Sequence, residues 1–400
     1  MAALHAGIAF QSAPGSVALL EGQDAVRAFA EFADADRHGR PGNVFQSRAM
    51  LDAAARAAVS AGNPALAVCV FRGDTMRTIW PLRIIRDMGV NVATDLADPI
   101  NQYSDVLGEP MDGAALTELG ERLSAGFKAD VLLARRVRAD SGLDAGFTEC
   151  GAVVIDRNAA PFVDLSAHGN FASYLASFSK STARKIRQRR SRLESDHGAL
   201  SFEVLQADAA RETAQRAVSW KRNWLSAQAL SSRVFDGALN EAALIEASAA
   251  RNAHVSVLRA GARPVAIELG FSCGSHYAAY LGTFDPEFAG YSAGQEQMLR
   301  SIDWCFANGF KSYDLLPPDD DYKRHWTRGD TAIGVSDYGL ALSHLGSVYL
   351  PVRKLARARV QRAIDAMPSH MRQVVWRGGA VAAGAGAAAV VIRLIGMIAE

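Results

Sequence analysis

The order of strand and helix patterns between residues 253 and 317 constrains the fold more than any other feature. Three apolar strands, HVSVLRA, PVAIELGFSC and SHYAAYLGTF, are followed by a loop of small residues, DPEFAGYSAG, and by the sequence QEQMLRSIDWCFANG. The apolar residues of that last sequence recur with a helical period, and Asn308-Gly309 is a typical helix end. One more strand, FKSYDLLP, follows at once. The pattern predicts a meander of antiparallel strands, then a loop, a helix and a further strand.

The chain length indicates more than one domain. Its 400 residues, 49% hydrophobic and 21% charged, exceed an ordinary domain and suit a globular protein. The first third alternates helix and strand patterns, which predicts a mixed α/β domain over residues 1–150. A second domain is predicted over residues 151–345, beginning at the strand CGAVVID. Residues 346–400 form a separate tail that is predicted to be helical.

The tail differs from the rest of the chain in charge. Residues 346–400 carry eight Lys or Arg and two acids, a local charge of +6 in a chain of net charge +1. A basic, helix-patterned segment is followed by the apolar sequence at 377–399. We expect residues 353–399 to attach peripherally to an anionic membrane surface, with a spanning helix or a packed helix as alternatives.

The cysteines and the first residues predict a cytoplasmic protein, with the tail at the inner face of the membrane. The four cysteines are far apart in apolar runs, and the amino-terminal sequence has no basic residue before its weakly apolar part. No Cys/His cluster is spaced for zinc. Three consecutive aspartates, Asp319 to Asp321, are interpreted as a solvated turn, because adjacent carboxylates on an extended chain point in alternating directions. No metal site is predicted.

The segment GYSAG, residues 290–294, supports two hypotheses. As G-x-S-x-G it matches the nucleophile elbow of serine hydrolases, with Ser292, Asp314 and either His325 or His344 as a triad. The histidines follow too soon for an α/β-hydrolase, and the preceding strand ends near Thr283 instead of directly before the turn. Alternatively, the small residues let backbone N–H groups approach a phosphate at the start of a helix.

The chain resembles the GNAT acyltransferases. Three segments are similar to the CelD-like (BioF-like) branch, which is related to the FemAB aminoacyl transferases: SFSKSTARKIRQRRSRLE, GTFDPEFAGYSAG with its helix, and YDLLPPDDDYKRHWT. In the first domain, FQSRAML and WPLRII also resemble that family. The Pro-Pro-Asp-Asp-Asp sequence departs from the usual Gly-rich form and leaves the acceptor undefined. The resemblance implies an α+β fold of two tandem GNAT-like domains, the first degenerate, with bent and mainly antiparallel sheets.

The resemblance also implies direct transfer from acetyl-CoA or another acyl-CoA to an amine, without a metal. The diphosphate would bind at the loop and the start of the helix, formed by Gly290, Ser292, Ala293, Gly294 and Gln295. Glu268 and Asp314 are alternative bases, and each could instead be a buried structural acid. Tyr280 and Lys323 are further catalytic candidates.

The acceptor is expected to be a small-molecule or saccharide amine of polysaccharide or cell-envelope metabolism. Its predicted contacts are Tyr322, Arg324 and Trp326. The basic helix at 181–196 is interpreted as a solvated face; no nucleic-acid motif accompanies it, so a nucleic-acid partner is not expected. The alternatives are a FemAB-like aminoacyl transferase, a serine hydrolase using Ser292, and a non-catalytic envelope-associated binding protein.

Overall fold

A computed structural model describes residues 17–35, 40–62, 65–72, 75–228, 232–235, 237–328 and 331–365. These residues form two compact units. The first unit contains the chain up to Asn158 together with residues 334–363, and the second contains residues 159–333.

The first unit contains seven strands among its described residues. They are β1 (Val17–Glu21), β2 (Ala65–Arg72), β3 (Thr75–Asp87), β4 (Val90–Asp95), β5 (Leu107–Gly108), β6 (Val131–Arg138) and β13 (Ala332–Ala341). Its helices are α1 (Gly22–Ala35), a 3-10 helix (Pro41–Phe45), α2 (Arg48–Ser60), α3 (Gly113–Phe127), α4 (Asp144–Glu149) and α11 (His344–Asp365).

The second unit contains the predicted meander. Its strands are β7 (Val153–Asp164), β8 (Leu200–Leu205), β9 (Ala253–Ala260), β10 (Arg263–Cys273), β11 (His276–Phe284) and β12 (Ser312–Asp314). Its helices are α5 (Phe171–Ala176), α6 (Lys180–His197), α7 (Ala207–Ala227), α8 (Ala238–Ala247), a 3-10 helix (Pro286–Tyr291), α9 (Ala293–Ala307) and α10 (Asp321–Thr327). The division between the units falls inside β7 and β13.

The two units share one arrangement of strands, although the sixth strand comes last in the chain in the first unit and first in the second. The strand order is β1-β2-β3-β4-β6-β13 in the first unit and β8-β9-β10-β11-β12-β7 in the second. In each, the first four strands are antiparallel neighbours, and the fifth lies parallel to the fourth. The sixth is antiparallel to the fifth. A parallel neighbour needs a crossover, and α3 and α9 provide it. The predicted α+β class with mixed, mainly antiparallel sheets is confirmed.

Helix α9 is held on the sheet of the second unit by its apolar face. Leu299, Ile302 and Cys305 are buried against Tyr277 and Tyr313 of the parallel strands β11 and β12. The three helix residues recur at i, i+3 and i+6, so they lie on one face. The packing fixes the start of α9 relative to the end of β11, where the loop of small residues lies.

Two segments near the end of the chain differ from what local patterns suggest. The short helix α10 begins at Asp321, the last of the three aspartates, and Asp320 caps it by accepting a hydrogen bond from the Lys323 backbone N–H at 2.9 Å. Part of the basic segment after residue 346 belongs to the first unit: Arg353 pairs with Asp87, and Arg357 with Asp156, both at 2.8 Å. Those two cations therefore have a structural role.

Most of the segment in the membrane hypothesis, residues 366–399, lies outside the described chain. The apolar segment at 377–399 is not among the described residues. No helix of the described residues is both long enough and apolar enough to cross a bilayer.

Candidate functional site

The strands β11 and β12 separate at one end of the second unit. Their parallel pairing ends at Ala278 and Asp314, whereas β11 continues to Phe284. The register between β10 and β11 also shifts there, leaving Tyr280 as an extra residue on β11. Such a bulge re-aims a strand locally. A cleft therefore opens between the end of β11 and the chain that leaves β12.

The chain turns away sharply after β12. Asp314 is buried, and its carboxylate accepts a hydrogen bond from the Leu316 backbone N–H at 2.7 Å. Leu316 itself has a φ of +61°, which is uncommon for a residue other than glycine. Asp314 thus stabilises the turn that holds one wall of the cleft, and it is not among the described residues that line the cleft.

The cleft has a volume of about 630 Å³ and draws its walls from several elements. From α6 and α7 come Arg189, Lys221, Trp224 and Gln228; from β10 and β11 come Glu268, Ala279, Gly282, Thr283 and Phe284. From the loop and α9 come Ala289, Ser292, Gly294, Gln295 and Met298; from β12 onwards come Tyr313, Leu315, Asp320, Tyr322 and Lys323.

Glu268 is the buried acid of this cleft. It is 3% exposed, and its two carboxylate oxygens accept hydrogen bonds from Tyr277 at 2.9 Å and Tyr313 at 2.6 Å. Burial raises the pKa of Glu268 to about 7, although the tyrosine hydrogen bonds oppose the rise. A carboxyl group with such a pKa is near half-ionised at neutral pH, which suits a general base.

The start of α9 forms the other end of the cleft. Ser292 lies in the left-handed region with φ 57° and ψ 39°, and no side chain caps the helix. Its carbonyl accepts hydrogen bonds from the N–H groups of Gln295 and Glu296. The first N–H groups of a helix lack intrahelical partners and attract anions. Arg189 adds a cation here, since its guanidinium donates to the Gln295 side chain at 2.7 Å.

Lys323 closes the cleft from α10. Its ammonium is buried and donates to the carbonyls of Leu316 and Pro318, each at 2.8 Å. Burial lowers the pKa of Lys323 to about 8, partly offset by Asp320 and Asp314. The loop after β12 and α10 are thus joined by one buried cation whose charge changes just above neutral pH.

The structure brings together about half of the candidate residues. Glu268, Lys323, Ser292, Gly294, Gln295 and Tyr322 all line the cleft. Asp314, Tyr280, Gly290, Ala293, Arg324 and Trp326 are not among its described lining residues.

The candidates away from the cleft have other surroundings. Tyr280 is buried with its ring edge-on to Phe271 at 5.6 Å, and Ala293 packs in an apolar cluster. Arg324 makes a two-point ion pair with Asp319, with N–O distances of 2.6 and 2.8 Å. Trp326 is buried beside Phe178 and lines a neighbouring cavity.

Sequence reasoning missed three cleft residues that distant elements supply. Lys221 and Trp224 come from α7, with the Lys221 ammonium 4.4 Å from the Trp224 ring centre. Lys221 is 7% exposed, and burial lowers its pKa to about 8. Arg189 comes from the basic helix. Lys221 lies on the face of α7 that also carries the buried residues Ala214, Ala217 and Val218. A lysine on an otherwise apolar helix face was the signal that could have identified it.

The geometry does not support the serine-elbow hypothesis. Among the described residues that line the cleft with Ser292 there is no histidine. His325 lies between the rings of Phe178 and Trp326, and His344 belongs to the first unit. A serine nucleophile needs an adjacent base.

Comparisons with known proteins agree with this arrangement. Residues 180–324 match the model of the acetyltransferase (GNAT) domain. A search of curated protein sequences found no match.

Solved structures extend the similarity over most of the chain. FemX is 11% identical with a TM-score of 0.56, covering 84% of this chain and 100% of its own. The C-terminal domain of a putative lysylphosphatidylglycerol synthetase from Agrobacterium fabrum is 13% identical with a TM-score of 0.54, covering 83% and 96%. Both show likeness of fold. As the resemblance predicted, residues 180–324 form an acetyltransferase (GNAT) domain, and the fold of the chain is similar to that of FemX.

Proposed function

We propose that the second unit transfers an acyl group from an acyl-CoA thioester to an amine. One observation carries the proposal: a single cleft joins the buried carboxyl group of Glu268 to the uncapped start of α9 at Ser292, Gly294 and Gln295. The helix start suits a diphosphate, and the buried acid suits proton removal from an amine. The part of the cleft between them, past Gly282, is where we place the acyl-bearing arm.

The reaction is a direct displacement. The amine nitrogen forms a bond to the thioester carbonyl carbon, the carbon–sulfur bond breaks, and the leaving sulfur takes its electron pair. Glu268 accepts the proton from the amine. Lys323 faces the same cleft, and its positive charge stabilises the negative charge that develops on the departing sulfur. Positioning in one cleft supplies much of the acceleration.

The two titrating groups define a pH dependence. Burial raises the pKa of Glu268 to about 7 and lowers that of Lys323 to about 8. Because the base acts deprotonated and the lysine acts protonated, activity should rise through pH 7 and fall through pH 8. We expect a bell-shaped profile with a maximum between those values.

We place the acceptor amine against α7, where Lys221, Trp224 and Gln228 line the cleft. A buried cation and an aromatic ring suit a polar small molecule or a saccharide amine. We retain polysaccharide or cell-envelope metabolism at the cytoplasmic face of the membrane as the setting. That setting rests on the family resemblance and on the tail at 353–399.

The direct test is a thermal-shift series with CoA thioesters of several chain lengths. A ligand that binds only the folded protein raises the melting temperature by mass action. We expect acetyl-CoA or a longer acyl-CoA to raise it and to release free thiol when a panel of amines is added. No shift with any thioester would remove acyl-CoA as the donor.

A FemAB-like aminoacyl transferase is the second candidate. Helix α6 favours it: Lys180, Arg184 and Arg187 are exposed, share one face and form no ion pair within the described chain. Such a face suits a polyanionic donor such as aminoacyl-tRNA. Binding of charged tRNA that weakens steeply with salt, without any acyl-CoA binding, would favour this function.

A further inference from the structure

Helix α11 of the first unit exposes a row of apolar side chains. Four of them are between 51 and 60% exposed: Leu345, Val348, Val352 and Leu355. Their spacing of three, four and three residues places them on one face of the helix. Elsewhere in the described chain, the exposed large apolar side chains stand apart from one another in sequence: Val59, Met88, Val153 and Leu239. Single exposed apolar residues are ordinary, whereas a contiguous row indicates an interaction surface.

The opposite face of α11 attaches the helix to the first unit. The Tyr349 hydroxyl donates to the Asp87 carboxylate at 2.6 Å, and Leu350 is buried in an apolar cluster of that unit. Arg353 and Arg357 form ion pairs with carboxylates of the same unit, each at 2.8 Å. Because these contacts hold one side of the helix, the apolar row faces solvent on a fixed support.

The exposed face of α11 is also positively charged. Arg359 and Arg362 are exposed and form no ion pair within the described chain. With about 3.6 residues per turn, Arg359 continues the apolar row one turn beyond Leu355, and Arg362 lies beside it. The sequence from 344 to 362 contains no Asp or Glu. The face therefore offers apolar surface and cations, and α11 itself supplies no carboxylate to neutralise them.

This charge pattern distinguishes the partners that could cover the row. A second copy of α11 would set the unpaired arginines against another face without carboxylates. The apolar segment of this chain at 377–399 contains Arg377 and Arg393 but no acid, so it supplies no counter-charge either. An anionic lipid surface supplies both missing components, since its acyl chains accept apolar side chains and its headgroups attract arginine.

We propose that α11 docks the first unit on an anionic membrane surface. The helix lies in the plane of the interface, with Leu345, Val348, Val352 and Leu355 entering the boundary of the acyl chains. Arg359 and Arg362 pair with the headgroups. The inference assigns the membrane contact to a folded helix face that begins at Leu345, upstream of the segment at 353–399, and it is independent of the donor and acceptor assigned to the second unit.

Co-sedimentation of the full chain with lipid vesicles tests the apolar row. We expect binding to vesicles of equal parts phosphatidylserine and phosphatidylcholine, and weaker binding at high salt because salt screens the arginines. Combining Val348→Ser with Val352→Ser should lower the partition coefficient roughly 10-fold, since both side chains leave water when lipid covers them. Val59→Ser is the matched control, an exposed valine on α2, and should leave the partition coefficient unchanged.

A second pair of variants tests the charges. Combining Arg359→Gln with Arg362→Gln should reduce the preference for these vesicles over phosphatidylcholine alone by roughly 10-fold or more. Arg56→Gln, at an exposed arginine of α2, should not change that preference. Because all the substituted residues are exposed, each variant should keep the wild-type melting temperature.

Three results would overturn the inference. The first is a wild-type protein that binds neither kind of vesicle, or valine and arginine variants that bind as the wild type does. The second is a lower melting temperature in the valine variant with unchanged vesicle binding, which would mean that the chain's own apolar segment covers the row. The third is a concentration-dependent dimer that sedimentation velocity detects in the wild type and that the valine variant loses, which would identify a second copy as the partner.

Discussion

The two units have the same strand order but differ at the helix that follows the fourth strand. At the start of α3, the Asp112 carboxylate accepts from the Ala115 N–H and the Glu149 carboxylate accepts from the Gly113 N–H, each at 2.8 Å. At the start of α9, no side chain caps the helix. Two carboxylates repel a phosphate, whereas free N–H groups attract one. Each unit therefore has a helix start at which an anion could bind. Carboxylates cap the start of α3, whereas the start of α9 is left open.

The segments that lead into α3 and α9 also differ, because the first is largely buried and the second is partly exposed. In the first unit, the chain between β4 and α3 is largely buried, and its Asp105 accepts from Arg40 and from the Gly142 N–H. Asp95 accepts from the Trp80 N–H at 3.0 Å and from the Ser104 hydroxyl. In the second unit the connection is a short 3-10 helix with exposed residues. We therefore propose that the first unit has a structural role and binds no donor.

Substitution of the two buried acids, Asp95 in the first unit and Glu268 in the second, is the strongest test of the difference between the units. Burial raises the pKa of both Asp95 and Glu268 to about 7, but only Glu268 lines the cleft. Glu268→Gln should lower the rate of amine-dependent thiol release from acetyl-CoA by roughly 10²- to 10⁴-fold while leaving donor affinity unchanged. Asp95→Asn should change thermal stability without changing that rate in the folded protein. Equal rate losses in the two variants would contradict our assignment of the base.

A pair of glycines tests the start of α9. Gly294→Val should weaken acyl-CoA binding about 10-fold or more, a loss of roughly 1.4 kcal/mol or more, because the side chain enters the phosphate site. A Cβ at Gly294 also lies 3.2 Å from the Phe284 ring, so melting temperatures must be compared. Gly290→Val is the matched control, since a Cβ there has no neighbour within 4 Å. Identical affinities in both variants would place the diphosphate elsewhere.

Buried cations offer a smaller contrast between the units. Arg135 of the first unit pairs with Asp98 at 3.7 Å, whereas burial lowers the pKa of Lys221 in the cleft to about 8. A lysine pKa below its unfolded value means that the protonated form costs stability below pH 8. Lys221→Met should therefore raise the free energy of unfolding by about 1 to 3 kcal/mol at pH 7.

The direction of the Lys221→Met effect on the free energy of unfolding can be checked by varying the pH. The wild-type protein regains stability as Lys221 deprotonates between pH 8 and the unfolded pKa, so the advantage of Lys221→Met should shrink over that interval. Urea unfolding at several pH values measures it. Arg135→Met should instead destabilise the protein, because the buried ion pair between Arg135 and Asp98 is lost.

The carboxylate cap of α3 provides a test with a modest effect. Glu149→Ala removes the acceptor of the Gly113 N–H and should lower the free energy of unfolding by about 0.5 to 2 kcal/mol. Donor affinity should not change, since the cap belongs to the first unit. A change in acyl-CoA affinity in a fully folded variant would show that the first unit takes part in donor binding.

The smallest effect is expected at Ser292. Ser292→Ala should change donor affinity and rate less than about two-fold, because the proposal needs only the backbone and small size of this residue. A fluorophosphonate probe should not label Ser292. Labelling of the wild-type protein that disappears in Ser292→Ala would make the serine hydrolase the better hypothesis.

The parts of the fold that follow from local patterns could be predicted from the sequence. The meander, the loop of small residues and α9 were recognisable because strand and helix periods and the Asn308-Gly309 stop are local signals. The pairing of β13 with β6 was not predicted, since residues 335–341 pair with strand residues about two hundred positions earlier. No local pattern specifies a partner so distant.

The site was predictable to a similar extent. Glu268 was recognised as an acid in an apolar strand, and Gly294 as a small residue at a helix start. Tyr277 and Tyr313, which hold the Glu268 carboxylate, and Lys221 on α7 depend on tertiary contacts. The role of Asp314 could not be decided from the sequence, because a buried acid at a strand end can be a catalytic base or can stabilise a turn, as it does here.

The stoichiometry of acyl-CoA binding tests the central claim most directly. Titration calorimetry of the full chain with acetyl-CoA, or with the thioester that gives the largest thermal shift, counts the sites in two units that share one strand order. We predict one site per chain, which is lost in Gly294→Val and kept in Gly290→Val and Glu149→Ala. Two sites per chain, or one site that survives Gly294→Val and is lost in Glu149→Ala, would contradict the account.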